Sequence, residues 1–483
     1  MGTFIDGHRA VRTVVQFVRR YCLILLLVST AAACTDNAPY RTVEAVQCER
    51  ASCNPAAYIE VNPTYDLAFV EFSERGNVFS RERMNQVLKF VGDRAREDRG
   101  VLTIVFVHGW KHNASGTDEN VASFNKLLGK IAALVNATKL PQVRRVVGVY
   151  VGWRGLSVDW GDPLTNVSYW ERKATAEQVA KGGVTELLLR LEKAVVGERD
   201  AGPVNRNLFL VTGHSFGGAV VLAALNEIML DRIVSGIPVE GEDGCVVTDS
   251  FGHGVVLLNP AIEANEALQL KELVAENCFG PRQVRLMHVI SSDADEATNK
   301  FFRIGQFLGV NLTWKQTELL RTFDNQPTLT LEESELDTIT VGNFKPFQTG
   351  QLDRDPNADG KWLYRSCVGK TVDCLDEPDG QVHINVEHNE PLAFIQTDGN
   401  FILNHNDIFN DYVAAYLAAV VAEARYKLTL QRELNDPGLV AQCIAENGKD
   451  FDFGACFAFY QSQFEALPKE DRSASPSGTS VSL

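Results

Sequence analysis

Residues 207–225 read NLFLVTGHSFGGAVVLAAL, with Ser215 at the centre of Gly213-His214-Ser215-Phe216-Gly217. Five residues of strand character, Leu208 to Thr212, run into that string, and Gly218, Ala219 and an apolar helix-forming run leave it. A buried strand, a sharp turn with serine at its apex and then a helix is the local geometry an exposed hydroxyl nucleophile requires. Such a turn is crowded, and glycine at 213 and 217 removes the Cβ atoms that would collide. The helix beginning after Ser215 aims its first N–H groups at any negative charge that builds up on a substrate. A Gly-x-Ser-x-Gly string alone is equally a plain Ser/Gly loop. Its place between an apolar strand and a helix points to a nucleophile elbow.

On these residues the chain resembles the α/β-hydrolase superfamily of serine hydrolases, esterase- and lipase-like. The resemblance implies an α/β fold with a mostly parallel central sheet, helices on both faces, and a catalytic triad in the chain order serine, acid, histidine. Two acids stand at the end of a strand expected over Val284 to Ile290, namely Asp293 and Asp295. Asp295 is favoured because Asp295-Glu296-Ala297-Thr298 resembles the acid followed by small or β-branched residues in this superfamily; either Asp also suits a helix N-cap. His405 lies in Asn404-His405-Asn406-Asp407, between a strand-like Phe401 to Leu403 and a helix from Ile408 to about Lys427, where the family's base sits. His383 and His388 lack that placement, and His112, His253 and His288 precede the acid or lie inside strands. The apolar run Val101 to Val107 ends in His108-Gly109-Trp110. In the resembled family that junction and the residue after the nucleophile supply the oxyanion-hole N–H groups, which by position are Trp110 and Phe216. His108 itself reads as a loop-shaping residue.

The implied activity is hydrolysis of a carboxylic ester or related acyl bond through a Ser215-His405-Asp295 relay and an acyl-enzyme, with no cofactor and no metal. A non-catalytic binding lipoprotein of the cell envelope that retains the scaffold is the rival reading. A complete triad set in the right order argues against it.

The chain has 483 residues, 45% of them apolar, enough to bury a large core. Its start is separate from that core. Arg9, Arg12, Arg19 and Arg20 precede an apolar Leu23 to Val28 and small residues up to Ala33, the layout of an export signal over 1–33. Ala31-Ala32-Ala33-Cys34 resembles the lipobox of bacterial lipoproteins, which implies a lipid anchor on Cys34 and a place on the periplasmic side of the cell envelope. Ala31 departs from the usual Leu, so plain cleavage near Ala33 stays open. The remaining eight cysteines fall into neighbouring couples, 48 with 53, 245 with 278, 367 with 374 and 443 with 456, as an oxidising compartment would allow. The formal charge is −16, and loss of residues 1–33 with their four Arg and one Asp leaves about −19. That surface excludes nucleic acid as a charge-driven partner; membrane attachment would come from the lipid.

Positioning the site falls to residues 66–427. Strands are expected at Asp66 to Phe72, Val101 to Val107, Val146 to Val151, Gly254 to Leu258 and Leu392 to Gln396; helices over Ser80 to Arg96, from an Asp118 cap to Leu134, and over Glu171 to Val196 as one long element. Residues 34–65 read as a tether, 155–170 as a loop or small lid, and 243–250 as loop. Periodicity fades over 306–391, an expected inserted excursion or cap. Within it Asp355 to Gly360 echoes a calcium loop, but Ser366 stands where the closing Glu belongs, which favours a solvated turn. Residues 428–483 are expected to hold a stapled loop and a polar tail.

Overall fold

The computed structural model describes residues 38–48, 53–97, 100–137, 145–155, 169–197, 207–239, 244–280, 283–302, 317–322, 328–354, 362–366 and 391–432. The export signal, Cys34, the 156–168 loop, the calcium-like turn, the couples 367/374 and 443/456, His383, His388 and residues 433–483 of the C-terminal extension lie outside them.

One sheet organises the chain. Its strands are β1 (Val46–Gln47), β2 (Ile59–Val61), β3 (Tyr65–Phe72), β4 (Val101–Val107), β5 (Arg145–Trp153), β6 (Leu208–His214), β7 (Val255–Leu258), β8 (Met287–Ser292), β9 (Gly350–Arg354), β10 (Trp362–Ser366) and β11 (Leu392–Thr397). They lie in the order β1-β2-β3-β5-β4-β6-β7-β8-β11-β9-β10. The eight neighbours from β3 through β9 in that order are parallel, and antiparallel β2 and β10 flank them.

The apolar runs are continuous because both faces of the sheet are covered. Side chains alternate: Val101, Val105 and Val107 of β4 enter one core, Leu102, Ile104 and Phe106 the other. The helices are α1 (Arg81–Ala95), α2 (Glu119–Ala137), α3 (Tyr169–Val179), α4 (Thr185–Val195), α5 (Phe216–Val234), α6 (Leu268–Ala275), α7 (Glu333–Thr338) and α8 (Asp411–Arg432). The first core takes Met84 and Val87 of α1, Leu187 and Leu191 of α4, and Val220 and Leu225 of α5. The second takes Phe124 and Leu128 of α2 with Val413, Tyr416 and Leu417 of α8. From β4 the chain goes by α2 to β5 on one side, then by α3 and α4 to β6 on the other. That reversal opens a crevice at the carboxyl ends of β4 and β6, where ligands of open α/β sheets bind.

Several expectations need correction. The long helix over 171–196 is two helices joined by one π-turn, Ala180–Val184, with Gly182 outside helical geometry. The break follows from a close approach: Gly183 N–H donates to the Gly76 carbonyl (3.0 Å), and a Cβ on Gly183 would stand 2.4 Å from the Phe72 ring. Residues 243–250 are not all loop, because Cys245–Val247 is the centre of a small sheet with Ile237–Pro238 and Cys278–Phe279, where Cys245 and Cys278 are register partners and disulfide-bonded. Phe401 to Leu403 is a turn rather than a strand, since the Asp398 carboxylate accepts the Phe401 N–H and draws the chain round. Parts of 306–391 join the body of the protein: β9 pairs with β11, and Leu336, Val341 and Phe347 are core residues.

The stretch expected as a tether likewise contributes β1 and β2, and it carries the Cys48–Cys53 disulfide that the sequence pairs. It also buries Arg41 against the Phe69 ring, 3.6 Å from guanidinium carbon to centroid. Arg41 donates to the Ala114 carbonyl (2.7 Å), the Ala57 carbonyl (3.3 Å) and Glu60 (2.7 Å). Glu71 accepts the backbone N–H groups of Tyr40 (2.9 Å) and Arg41 (2.8 Å).

Candidate active site

Ser215 joins β6 to α5 at φ 55° and ψ −123°, a left-handed conformation that a residue with a side chain adopts only under strain. Its neighbours impose the turn. A Cβ on Gly217 would lie 2.0 Å from the Val107 carbonyl oxygen, and one on Gly213 2.6 Å from the Gly217 oxygen. The Ser215 N–H donates to the Leu258 carbonyl (3.2 Å), and its own carbonyl accepts from Ala219 and Ala261 (3.3 and 3.1 Å). The hydroxyl does not stand out in solvent as expected: the residue is 4% exposed, covered by the close backbone of the β4 loop. A Cβ on Gly109 of that loop would meet the Ser215 Cβ at 2.8 Å.

His405 reaches Ser215 from the turn between β11 and α8. Asp398, Asp407 and Asn404 side chains close that turn by accepting the N–H groups of Phe401 (3.1 Å), Leu403 (3.0 Å) and Asn406 (3.0 Å). Buried Phe401, Ile402 and Ile408 hold it to the second core. Ser215 Oγ lies 2.9 Å from His405 Nε2, and His405 Nδ1 lies 2.7 Å from Asp295 Oδ2. A carboxylate only accepts, so the proton is on Nδ1 and Nε2 offers its lone pair to the hydroxyl. The structure thus brings together three residues separated by up to 190 positions.

Asp295 is fully buried, in the turn after β8. Burial alone would raise its pKa, but hydrogen bonds from His405 and from Thr298 outweigh it and hold the carboxyl below its ordinary range. Its Oδ1 accepts the Ala297 N–H (2.9 Å), and Thr298 Oγ1 donates to Oδ2 (2.7 Å). Asp293 is exposed; partial burial and then the nearby Asp398 push its pKa up. Of the two acids, only Asp295 bonds the imidazole.

The other described histidines have other partners. His108 Nδ1–H donates to the Gly109 carbonyl (2.9 Å), Nε2 accepts the Trp153 N–H (3.0 Å), and the ring stacks on Trp153. Burial drives its pKa down to about 4, so the ring is neutral and shapes the loop that carries Trp110. His253 Nδ1 accepts the Phe209 N–H (3.0 Å), His288 pairs with the Tyr416 hydroxyl (2.8 Å), and His112 lies 3.2 Å from Asp118. Asp118 Oδ1 accepts the Asn120 N–H (2.8 Å), capping α2 as its position suggested.

Phe216, one expected oxyanion donor, is the first residue of α5, directly after Ser215; Trp110, the other, follows Gly109 in the β4 loop, where a Cβ on Gly109 would lie 2.8 Å from the Ser215 Cβ. A separate cleft lies on the other side of the β4 loop, walled by Tyr40, Glu71, Lys111, His112, Trp153 and Arg154; Ser215 is not among its walls. Among the described residues the one group with metal-ligand spacing is Cys48, Cys53 and Glu60, in which the sulfurs are bonded to each other and Glu60 to Arg41.

Three residues at the site escaped sequence reasoning: His214, Asn259 and the role of Thr298. His214 carried a signal, because a polar side chain ending a fully buried strand must find a partner.

No protein-family model and no curated protein sequence matches the chain. Among solved structures, phospholipase PlaB from Legionella pneumophila in complex with thio-NAD is similar over 55% of this chain and 48% of its own, at 12% identity and a TM-score of 0.24. A second PlaB structure gives 55% and 49%, 12% identity and 0.23. The chain therefore spans about half the length of those proteins, and likeness at that level leaves the functional reading to the site itself.

Proposed function

We propose that the protein is a serine hydrolase of the α/β-hydrolase fold that cleaves a carboxylic ester or related acyl bond. The observation that carries this reading is the hydrogen-bonded run from Ser215 Oγ through His405 to Asp295, set on a strained strand-to-helix turn. Ser215 Oγ attacks the acyl carbon as its proton passes to His405 Nε2. Asp295, ionised and fully hydrogen-bonded, fixes the Nδ1–H tautomer and offsets the charge of the imidazolium. The backbone N–H groups of Trp110 and Phe216 take the oxyanion, each contributing on the order of 3 kcal/mol. Collapse expels the alcohol with the proton from Nε2. Water then attacks the acyl-enzyme, gives a proton to His405, and releases the acid and the free Ser215 hydroxyl.

The fold supports the same reading, since the elbow, the acid and the histidine all lie at carboxyl ends of parallel strands. The export signal and the lipid on Cys34 belong to the proposal and place the enzyme on the cell envelope; loss of acyl labelling in Cys34→Ser tests the anchor. Short-chain chromogenic esters test the activity. Wild type should turn them over and a folded His405→Ala variant should not. Equal and negligible turnover by both, across a panel of acyl lengths, would favour the non-catalytic binding lipoprotein.

A further inference from the structure

The backbone carbonyl of His405 accepts two side-chain hydrogen bonds from the sheet, one from His214 Nε2 (2.7 Å) and one from Asn259 Nδ2 (3.3 Å). We propose that His214 and Asn259 are positioning residues that clamp this carbonyl and thereby set the imidazole of His405 over Ser215. The proposal rests on the hydrolase reading above and assigns two residues to it that touch no reacting atom.

The two donors come from different strand ends. His214 is the last residue of β6, 1% exposed, directly before the nucleophile. Asn259 follows β7, is fully buried, and takes a positive φ of 42°. Its other end is engaged as well: Asn259 Oδ1 accepts the Ser292 N–H (3.0 Å) at the end of β8, three residues before Asp295. One carboxamide therefore spans the acid-bearing strand and the base-bearing turn, while His214 ties that turn to the elbow. The turn itself is closed mainly by local bonds from Asp398, Asn404 and Asp407, and Leu403 on it is 66% exposed. The Ser292 Oγ bond to the Ile402 carbonyl (2.7 Å) is a further polar link from the turn to β8.

The protonation of His214 suits the role. Burial first, and the neighbouring His405 second, hold its pKa well below the ordinary value. A neutral ring has one N–H, and an accepting carbonyl 2.7 Å from Nε2 places that proton there. Nδ1 has no partner among the described residues, which suits a bare lone pair far better than a buried N–H. The two imidazoles lie 4.7 Å apart between centroids, tilted by 45°, so a neutral His214 adds no second positive charge when His405 takes the serine proton.

The test pairs His214→Met with His214→Gln, whose Nε2 can restore the lost donor, and adds Asn259→Asp, which keeps an acceptor for Ser292 but removes the donor. In folded variants His214→Met and Asn259→Asp should each lower kcat about 10- to 100-fold with KM nearly unchanged, the scale of a misplaced catalytic group. His214→Gln should recover most of the loss. Because both donors act on one carbonyl, the double variant should fall short of the product of the single losses. The downfield proton resonance of His405 Nδ1–H should broaden or shift in His214→Met and return in His214→Gln, and it reads the clamp without turnover. Wild-type kcat and an unmoved resonance in His214→Met overturn the clamp, as does His214→Gln behaving no better than Met. Should His214→Met fail to fold, Asn259→Asp with wild-type kcat and resonance overturns it alone. Failure of the hydrolase reading looks different: wild type itself would show no Ser215-dependent turnover.

Discussion

Two buried polar clusters flank the β4 loop, and they differ in what their members still have to offer. In the first, Arg41 donates to Ala114, Ala57 and Glu60, its face lies on Phe69, and Glu71 accepts two backbone N–H groups. Burial lowers the pKa of Arg41 and raises those of Glu60 and Glu71, yet each charge has a partner. In the second, Asp295 is just as buried and just as fully bonded, but its last bond goes to a histidine whose far nitrogen points at a hydroxyl. The lesson is that burial and charge alone do not mark chemistry. A site needs a chain of partners that ends on a group able to change its bonding, here Ser215 on a strained turn.

Asp295→Asn should break the second cluster with the largest effect. The amide would favour the wrong tautomer of His405, and kcat should fall about 10⁴-fold with the fold intact, while Asp293→Asn stays near wild type; steady-state kinetics on one ester separates them. In the first cluster the loss should be of stability. Arg41→Met strands a buried Glu60 and should cost about 3–5 kcal/mol in denaturant unfolding, with kcat of the folded fraction within a few fold of wild type. Between the clusters, Gly109→Ala would force a methyl against the Ser215 Cβ. A drop in kcat on the order of 10- to 100-fold is expected from the displaced elbow, and an unchanged kcat would mean the β4 loop moves aside freely.

The smallest effect concerns pH. His108 is neutral in the fold, with a pKa of about 4, and His214 is held lower than its ordinary value too. Unfolded histidine takes up a proton below about 6.5. Between there and about pH 4 the unfolded chain binds more protons than the fold at these two histidines, so the stability they contribute should fall as pH falls. Thermal midpoints at pH 7 and pH 5 check the sign, with the lower value expected at pH 5.

Much of this architecture was legible in the residues. The run Val101 to Val107 is β4 residue for residue, and the alternation that fills both cores was implicit in it. Ser215 and Asp295 each follow a strand that the sequence predicts, whereas His405 follows a turn at Phe401 to Leu403 where a strand is expected; the structure nonetheless joins all three in one hydrogen-bonded run. What was not legible depends on distant partners. The π-turn at Gly182 comes from the approach of Gly76, and the small sheet around Cys245 from a segment 33 residues away. β9 joins the sheet edge beside β11, which no local periodicity of its own segment announces. The roles of His214 and Asn259 are not legible in the sequence because their shared partner is a backbone carbonyl, which no residue type marks.

The most direct measurement is to react the purified protein with a fluorophosphonate and map the adduct by peptide mass spectrometry. A single adduct on the Ser215 peptide is expected, absent from Ser215→Ala and much slower to form in His405→Ala. No adduct on wild type, or equal labelling of wild type and Ser215→Ala, would contradict the assignment of Ser215 as the nucleophile.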